Sequence, residues 1–299
     1  METKIIDGKK IRDEILAELK NEVAALSFQP VFCDVFVGEN SVSKQYVDMK
    51  NKMAKQVGIN FHDASFPANI TTAELVKEIK ILNTMPNICG IIVQMPIPDS
   101  LDQRQVLDAI NPELDVDCLG TIASEKFYKG EEGLGFPTAL ACVKILDFID
   151  LDLKGTFFTP STRKIVVLGQ GELVGKPVAA LLRLSGLSPE VITRETKDKN
   201  EIIKQADVII SGMGDGKYIT GDMIKKGVII IDAGTSESRS GIVGDVDLES
   251  VKGIAGFVSP VPGGVGPVTV AMLLRNVLQV AESIEQVRDD FAKSKQDAE

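Results

Sequence analysis

Apolar residues in the first half of the chain recur with the spacing of alternating helices and strands. Ile11, Ile15, Leu19 and Val23 predict an amphipathic helix over residues 9–26. The other elements expected here are strands at 31–37, 59–66 and 89–94 and helices at 72–82, 102–110 and 138–148. Residues 121–136, rich in glycine and charge, predict a loop or a short hairpin. The alternation predicts a parallel sheet that binds ligands at the carboxyl ends of its strands.

The second half repeats this alternation and adds two glycine-rich segments. A strand at 164–168 leads into Gly169-Gln170-Gly171, and Gly175-Lys176-Pro177 opens a helix that extends to residue 184. Strand, glycine turn and helix are typical of a pyrophosphate site, although many such turns only pack a helix on a sheet. Further strands are expected at 191–193, 207–210 and 228–231, and a final helix at 269–287. Residues 259–267 contain three prolines and three glycines and predict an irregular loop that can approach a ligand closely.

One more helix, expected between Gly38 and Gly58, carries a lysine beside its buried face. At about 100° per residue, the apolar stripe consists of Val42, Tyr46, Met49 and Met53. Lys50 lies next to this stripe, whereas the other lysines of the helix project from the far side. Apolar surroundings lower the pKa of a lysine and make it a proton donor or acceptor near neutral pH. The alternative is that Lys50 lays its stem along the core and keeps its ammonium in water.

Length and composition exclude several classes of protein. A chain of 299 residues is expected to form two domains. The net charge of −10 argues against nucleic acid as a partner, because binding it needs a basic face. The longest apolar runs are strand-sized, so no membrane span is expected. The N-terminus has no apolar segment of a secretory signal, and a cytoplasmic location is therefore expected.

Cysteine and histidine usage narrows the chemistry further. The four cysteines are widely spaced without a CxxC pair, which argues against a disulfide framework or a zinc site. His62 is the only histidine, so Ser-His-Asp catalysis and multi-histidine metal sites are not expected. We therefore expect no metal ion.

Polar side chains are expected at one edge of the first sheet. Gln94 ends a strand, and Tyr46 and Lys50 follow shortly after another. Asp115 and Asp117 lie in a turn, where such carboxylates often only cap a neighbouring element or face water.

Seven short motifs occur in order along the chain. They are Ile5-Ile6-Asp7-Gly8-Lys9, Ser43-x-x-Tyr46-Val47-x-x-Lys50-x-Lys52 after Val37-Gly38, Gly90 to Pro98, Asp115-Val116-Asp117, Val174-Gly175-Lys176-Pro177, Val243 to Asp247 and Pro260 to Thr269. Together they resemble the methylenetetrahydrofolate dehydrogenase/cyclohydrolase family over nearly the whole chain.

The resemblance implies two reactions at one cleft. Methylenetetrahydrofolate is oxidised to methenyltetrahydrofolate with NAD(P), and the methenyl compound is then hydrolysed to 10-formyltetrahydrofolate. The implied catalytic residues are Lys50 as the reactive amine, Gln94 as its hydrogen-bonding partner, Tyr46 against the folate rings and Asp117 on the pterin. Further implied substrate contacts are Pro262, Gly263 and Gly264. The implied cofactor-binding residues are Gly169, Gln170, Gly171, Gly175, Lys176, Pro177, Arg194, Gly212 and Gly263.

The chain departs from the usual family pattern at three places. Cys118 replaces a glycine, Gln170 replaces an arginine that reads the extra phosphate of NADP, and residues 136–139 replace Pro-Cys-Thr-Pro. Cofactor choice then depends on Arg194, which can pair with a ribose 2′-phosphate, and on Glu195, which can bind a bare ribose diol. We expect NADP, with NAD as the alternative.

The expected fold is α/β with two domains and a cleft between them. Residues 1–139 form an N-terminal folate-binding catalytic domain completed by a helix at 270–288, residues 140–269 form a Rossmann-type parallel-sheet nucleotide-binding domain, and residues 289–299 form a disordered tail. The family implies a homodimer and a role in one-carbon metabolism and purine biosynthesis. Two alternatives stay open, namely a lysine-assisted dehydrogenase of the shikimate dehydrogenase type and a nucleotide-binding protein without catalysis.

Overall fold

The chain divides into two compact units in the computed structural model, which describes residues 2–39, 41–152, 163–238 and 241–296. The six-stranded unit comprises Met1–Asp13 and Pro137–Met272, and the three-stranded unit comprises Glu14–Phe136 and Leu273–Glu299. In the described part of the chain the strands are β1 (Lys4–Ile5), β2 (Val31–Val37), β3 (Asn60–Phe66), β4 (Ile88–Val93), β5 (Ile165–Leu168), β6 (Glu190–Ile192), β7 (Val208–Ser211), β8 (Ile229–Asp232), β9 (Ser236–Ser238), β10 (Gly241–Val243) and β11 (Phe257–Val258). The helices of the same residues are α1 (Gly8–Ala25), α2 (Ser41–Gln56), α3 (Thr72–Leu82), α4 (Gln103–Leu107), α5 (Thr121–Lys129), α6 (Pro137–Asp152), α7 (Gly175–Leu184), α8 (Lys199–Gln205), α9 (Leu248–Val251) and α10 (Val265–Gln296).

The three-stranded unit contains a parallel sheet in the order β3-β2-β4. The central strand β2 pairs along its length with both neighbours, so that Asp34 lies opposite Asp63 on β3 and Ile92 on β4. Helix α3 begins where predicted, because Thr71 and Glu74 form a reciprocal capping box. The carboxyl ends of β2 and β4 therefore meet at one edge, as expected for a parallel sheet.

The six-stranded unit contains the doubly wound sheet. Its strands run parallel in the order β1-β11-β8-β7-β5-β6, and β9 with β10 forms a separate antiparallel ribbon. The chain passes from β5 to β6 on one side and then crosses to β7 on the other side, which places a topological switch point at the carboxyl end of β5. This confirms the predicted Rossmann-type sheet.

The two ends of the chain differ from the prediction. Lys4 and Ile5 pair with Phe257 and Val258, so the first residues belong to the six-stranded unit and not to a continuous segment 1–139. Helix α10 continues to Gln296, and the predicted disordered tail from residue 289 is therefore wrong for the residues that the structure describes.

Two segments predicted as irregular are helical. Residues 121–136 contain α5, which buries Ala123 and Phe127 and ends at Gly130 in the left-handed conformation. Helix α10 begins at Val265 and not at Thr269. The proline at position 267 does not prevent this start, because the backbone N–H groups of the first helical turn have no partner within the helix. The predicted irregular loop is correspondingly shorter.

Candidate active site

Helix α2 buries a face that only partly overlaps with the predicted one. Val47, Met53 and Ala54 are buried, and Lys50 lies among them with 5% of its surface exposed, whereas Tyr46 is 37% exposed. Of the predicted stripe, Met53 is in the core and Tyr46 is not, and the side chain of Val42 lies outside the described residues. Lys50 belongs to the buried face, and the exposed ring of Tyr46 is available to stack on a planar ligand.

The ammonium of Lys50 has two partners at the end of the sheet. Its Nζ donates to Gln94 Oε1 at 2.6 Å and lies 2.7 Å from Asp34 Oδ2. The Gln94 amide is fixed in this orientation because its Nε2 donates to the carbonyl of Met95 at 2.7 Å. The structure thus brings together the predicted pair Lys50 and Gln94 and rules out a lysine that keeps its ammonium in water.

Asp34 is a site residue that the sequence did not predict. It lies on the central strand β2 with no exposed surface, and neither of its carboxylate oxygens has a hydrogen-bond partner among the described residues, so the contact of Oδ2 with Lys50 is an ion pair. Burial raises the pKa of Asp34, and the neighbouring Lys50 ammonium acts in the opposite direction. The only sequence signal is one acidic residue within an otherwise apolar strand.

The two carboxylates of the acidic turn have different surroundings. Asp115 is buried and accepts a hydrogen bond from the backbone of Gly120 at 2.7 Å, so it stabilises the turn. Asp117 is only partly buried, and it accepts no hydrogen bond that holds it in the turn among the described residues. Desolvation raises the pKa of Asp117 to about 7, while the charge of Lys50 opposes this shift. Asp117 is therefore the carboxyl group that a ligand can use.

Asn276 of helix α10 holds the acidic turn from the other side. Its Nδ2 donates to the carbonyl of Val116 at 2.8 Å and to that of Gly135 at 2.7 Å. The residue is buried on a helix face that otherwise carries apolar side chains. Sequence reasoning missed this positioning residue, although an asparagine between Leu274 and Val277 was a usable signal.

Cys118 occupies a backbone conformation that favours glycine. Its φ is 58°, and its backbone N–H closes a turn on Asp115. The thiol is buried, and burial raises the pKa of Cys118, which keeps the group protonated. This departure from the family pattern therefore changes backbone strain and adds no nucleophile.

The glycine turn after β5 fits a dinucleotide pyrophosphate. Gly169 has a φ of 96°, and a Cβ on Gly175 would lie 2.1 Å from the Gly169 carbonyl oxygen, so the turn and helix α7 can approach only without side chains. A Cβ on Gly171 would meet open space. Val174 at the N-cap of α7 provides no side-chain acceptor, and the Lys176 N–H donates to the Gly171 carbonyl at 3.1 Å, so the glycine turn itself closes onto the first turn of the helix.

The remaining predicted nucleotide contacts surround this turn. Gly212 follows β7, and its carbonyl oxygen would be 2.7 Å from a Cβ on Gly169. Lys176 and Pro177 lie in the first turn of α7, and Gln170 is exposed with its Nε2 on the Gly169 carbonyl. All of them lie at the carboxyl edge of the sheet, where the switch point was identified.

Arg194 and Glu195 follow β6 at the same edge. Thr193 Oγ1 donates to Glu195 Oε2 at 2.7 Å, and this hydrogen bond lowers the pKa of Glu195. Arg194 is exposed beside it. The carboxylate is thus occupied within its own turn, whereas the guanidinium faces solvent and can meet an anion.

The glycine-rich loop before α10 packs on the start of α1. The backbone N–H of Gly8 donates to the carbonyl of Gly263 at 3.0 Å, and a Cβ on Gly8 would lie 1.8 Å from the Gly264 oxygen. Gly263 has a φ of 105° and open space where a Cβ would be. Pro262, Gly263 and Gly264 therefore belong to the six-stranded unit, while Tyr46, Lys50, Gln94 and Asp117 belong to the three-stranded unit.

Fold and site together define an α/β protein with an NAD(P)-type sheet in one unit and a buried, ion-paired lysine at the sheet end of the other. Residues 6–117 match the description "Tetrahydrofolate dehydrogenase/cyclohydrolase, catalytic domain", and residues 137–285 match "Tetrahydrofolate dehydrogenase/cyclohydrolase, NAD(P)-binding domain". The chain belongs to the tetrahydrofolate dehydrogenase/cyclohydrolase family.

Similar proteins agree with this assignment. The bifunctional protein FolD of Moorella thermoacetica is 39% identical over 94% of this chain and 99% of its own. The crystal structure of the bifunctional enzyme FolD from Campylobacter jejuni superposes with a TM-score of 0.87 at 35% identity, covering 94% and 99% of the two chains. The Trypanosoma brucei methylenetetrahydrofolate dehydrogenase-cyclohydrolase, solved with NADP cofactor and inhibitor, has a TM-score of 0.86 at 32% identity, covering 95% and 98%.

The comparisons decide between the readings that the sequence left open. The two-domain α/β fold and the paired dehydrogenase and cyclohydrolase activities predicted for the chain are confirmed, and the shikimate dehydrogenase alternative gains no support. Among the described residues, no helix has both the length and the apolar content of a membrane span.

Proposed function

We propose that this chain oxidises methylenetetrahydrofolate with NADP and hydrolyses the methenyl product, using Lys50 for both steps. The observation that carries the proposal is the buried ammonium held by Gln94. In the hydrolysis, a water molecule loses a proton as it adds to the methenyl carbon. Lys50 accepts this proton in its neutral amine form, after its ammonium has released one to solvent, and can return it to the ring nitrogen as the carbon–nitrogen bond breaks. Tyr46 provides a stacking surface, and Asp117 provides a carboxyl group for the pterin.

The six-stranded unit is proposed to hold the nucleotide. Its pyrophosphate would lie on the bare backbone of the Gly169 turn and on the start of α7, with Gly212, Lys176 and Pro177 around it. When bound, NADP supplies the hydride acceptor. Pro262, Gly263 and Gly264 are proposed as additional contacts of the substrate or nicotinamide. We also propose that the protein is a homodimer. It would act in the cytoplasm and supply one-carbon units for purine biosynthesis.

The test is an absorbance assay for methenyltetrahydrofolate. Purified protein receives methylenetetrahydrofolate with NADP or NAD, and hydrolysis is followed separately by the loss of methenyl absorbance. We expect turnover with a higher kcat/KM for NADP. No turnover with either nucleotide would refute the dehydrogenase assignment, and no acceleration of methenyl hydrolysis would refute the cyclohydrolase assignment.

Replacing Arg194 by serine is expected to lower kcat/KM for NADP about 10- to 100-fold and to leave NAD nearly unchanged. Only NADP has the 2′-phosphate, and a charge-assisted hydrogen bond of about 1.5–3 kcal/mol corresponds to this factor. Arg183→Ser is the matched control, because Arg183 is an exposed arginine in the last turn of α7. Equal losses for both nucleotides would show that Arg194 does not read the phosphate.

Replacing Asp117 by asparagine is expected to stabilise the fold at pH 8 and to raise the folate KM. The pKa of Asp117 is about 7 in the folded protein against 3.8 ordinarily, so the folded state binds its proton more tightly. Wild-type stability therefore falls as pH rises from about 4 to about 7, whereas the amide does not titrate. The difference in Tm between variant and wild type should grow over this range.

Asp289→Asn, on the exposed end of α10, is the control for this pH series. It is expected to shift Tm by the same small amount at every pH. A Tm difference for Asp117→Asn that does not depend on pH would contradict the assigned titration, whatever its effect on KM.

A further inference from the structure

The buried carboxylate of Asp34 has no assigned role in the two reactions. It forms an ion pair with the Lys50 ammonium at 2.7 Å, and it is completely buried on the central strand of the sheet. We propose that Asp34 is a positioning and charge-compensating residue that allows the positively charged methenylfolate to bind and to form beside Lys50. This inference rests on the proposed function of Lys50.

Geometry gives Asp34 a positioning role. A lysine ammonium has three N–H donors and no acceptor. Nζ donates to Gln94 Oε1 at 2.6 Å, and the Asp34 carboxylate attracts the ammonium as an ion pair at 2.7 Å, without hydrogen-bond geometry. One hydrogen bond and one ion pair therefore hold the ammonium at the end of the sheet, and its other N–H groups remain for a reacting group.

The location of Asp34 makes this contact rigid. β2 is the middle strand, and both of its neighbours are paired with it at this position. An aspartate side chain has few rotatable bonds, and the residue has no exposed surface. The position of the carboxylate is therefore set by the sheet itself, and α2 brings Lys50 to it.

Charge gives Asp34 its second role. The methenyl form of the folate carries a positive charge on the bridge that the methylene form lacks. An unpaired buried ammonium would repel this cation, because charges interact strongly where water is excluded. The Asp34 carboxylate brings the net charge of the pair to zero. It also stabilises the positive charge that develops as hydride leaves the methylene substrate, so its effect differs between the two substrates.

The unpartnered oxygen of Asp34 supports this assignment. Both carboxylate oxygens of Asp34 are buried and accept no hydrogen bond from the described residues, and Oδ1 has no ion-pair contact either, which is unusual for a carboxylate kept only for stability. Asp117 lies within electrostatic range of both Asp34 and Lys50. The charges of Asp34 and Lys50 therefore act on Asp117, the carboxyl group that is proposed to face the ligand.

The test is Asp34→Asn, which keeps the shape of the side chain and removes its charge. For hydrolysis, we expect KM for the methenyl cation to rise about tenfold or more. For oxidation, we expect kcat to fall by about tenfold, with KM for the neutral methylene substrate changing by less than about threefold. A purely structural role would move both KM values together or neither.

Asp63→Asn is the matched control. Asp63 lies directly opposite Asp34 on β3 and also pairs with a lysine, but its partner is the surface residue Lys44. All kinetic constants of this variant are expected to stay within about twofold of wild type, because surface ion pairs contribute little. Retention of the wild-type methenyl KM by folded Asp34→Asn would overturn the proposal.

Asp34→Glu keeps the test decisive if the asparagine variant does not fold. It retains the charge on a longer side chain, so KM for the cation should stay within about threefold while kcat falls, because the ammonium is displaced. A raised cation KM in Asp34→Glu would contradict charge compensation. Inactive wild-type protein would refute the proposed function, whereas active wild type with an unaffected Asp34 variant would refute only this inference.

Discussion

Replacing Lys50 by methionine is expected to lower cyclohydrolase turnover by about 10²- to 10⁴-fold, the usual contribution of a general acid or base. Methionine fills a similar volume but cannot donate or accept a proton, and Gln94 then lacks its partner. Binding of NADP should be unchanged, because the glycine turn lies in the six-stranded unit. Loss of methenyl absorbance measures the first quantity, and titration of NADPH fluorescence measures the second.

Lys55→Met is the matched control for this variant. Lys55 lies on the same helix and is exposed, so both activities should stay near those of the wild type. Full hydrolysis by Lys50→Met would show that another group exchanges the proton. Loss of NADP binding together with activity would indicate a general folding defect and not the loss of one amine.

The same variant is expected to be less stable, because Asp34 loses its ionic partner. Breaking a buried ion pair by removing one member costs about 3–5 kcal/mol. Burial already raises the pKa of Asp34, and Lys50 opposes that rise, so the pKa must rise further in the variant. A carboxyl with a raised folded pKa contributes stability that is present at low pH and is lost as pH increases. The stability deficit of Lys50→Met should therefore grow with pH.

Periodicity and strand-end position placed Lys50 and Gln94 near one edge of the sheet, and the family resemblance supplied their pairing. The strand at 31–37 was predicted with its observed bounds, and Lys50 and Gln94 lie within hydrogen-bonding distance as the resemblance implied. Asp34 was not predicted, because β2 is buried on both faces from its second residue onward, so its sequence has no alternation that shows which side chains face the site. The face of α2 was partly misplaced for a related reason, since Lys50 counts as polar in the pattern but lies in the core with its counter-ion.

Contacts between distant parts of the chain explain why the sequence did not predict strand β1 or the role of Asn276. Strand β1 has only two residues, and its partner β11 lies near the other end of the sequence. Asn276 holds the acidic turn through carbonyl groups at Val116 and Gly135, which no local pattern can reveal. Secondary-structure propensity describes neighbours along the chain, so these contacts become visible only in the folded protein.

The backbone beside the nucleotide site depends on one buried carboxylate, that of Asp245. It accepts hydrogen bonds from Ser211 Oγ at 2.7 Å and from the backbone N–H groups of Met213 and Asp215 at 2.8 Å each. These residues flank Gly212, whose carbonyl lies against the Gly169 turn. The carboxylate thus fixes the segment that follows β7 and, through it, one side of the proposed pyrophosphate site.

Replacing Asp245 by alanine is expected to lower the free energy of unfolding by about 3–5 kcal/mol, because each buried donor left without an acceptor costs about 1–3 kcal/mol. NADP binding should weaken as well, because the backbone around Gly212 loses its support. Denaturant unfolding followed by circular dichroism measures the first effect, and NADPH fluorescence measures the second. Asp245→Asn retains one acceptor oxygen and should lie between alanine and wild type.

Asp247→Ala provides the matched control two residues further along the chain. Asp247 is the N-cap residue of α9 but makes no side-chain capping bond there, so its removal should change the free energy of unfolding by less than about 0.5 kcal/mol. The contrast isolates the three hydrogen bonds of Asp245 from the loss of a negative charge in this segment. Equal destabilisation by the two alanine variants would mean that charge, and not the buried hydrogen-bond network, stabilises the backbone after β7.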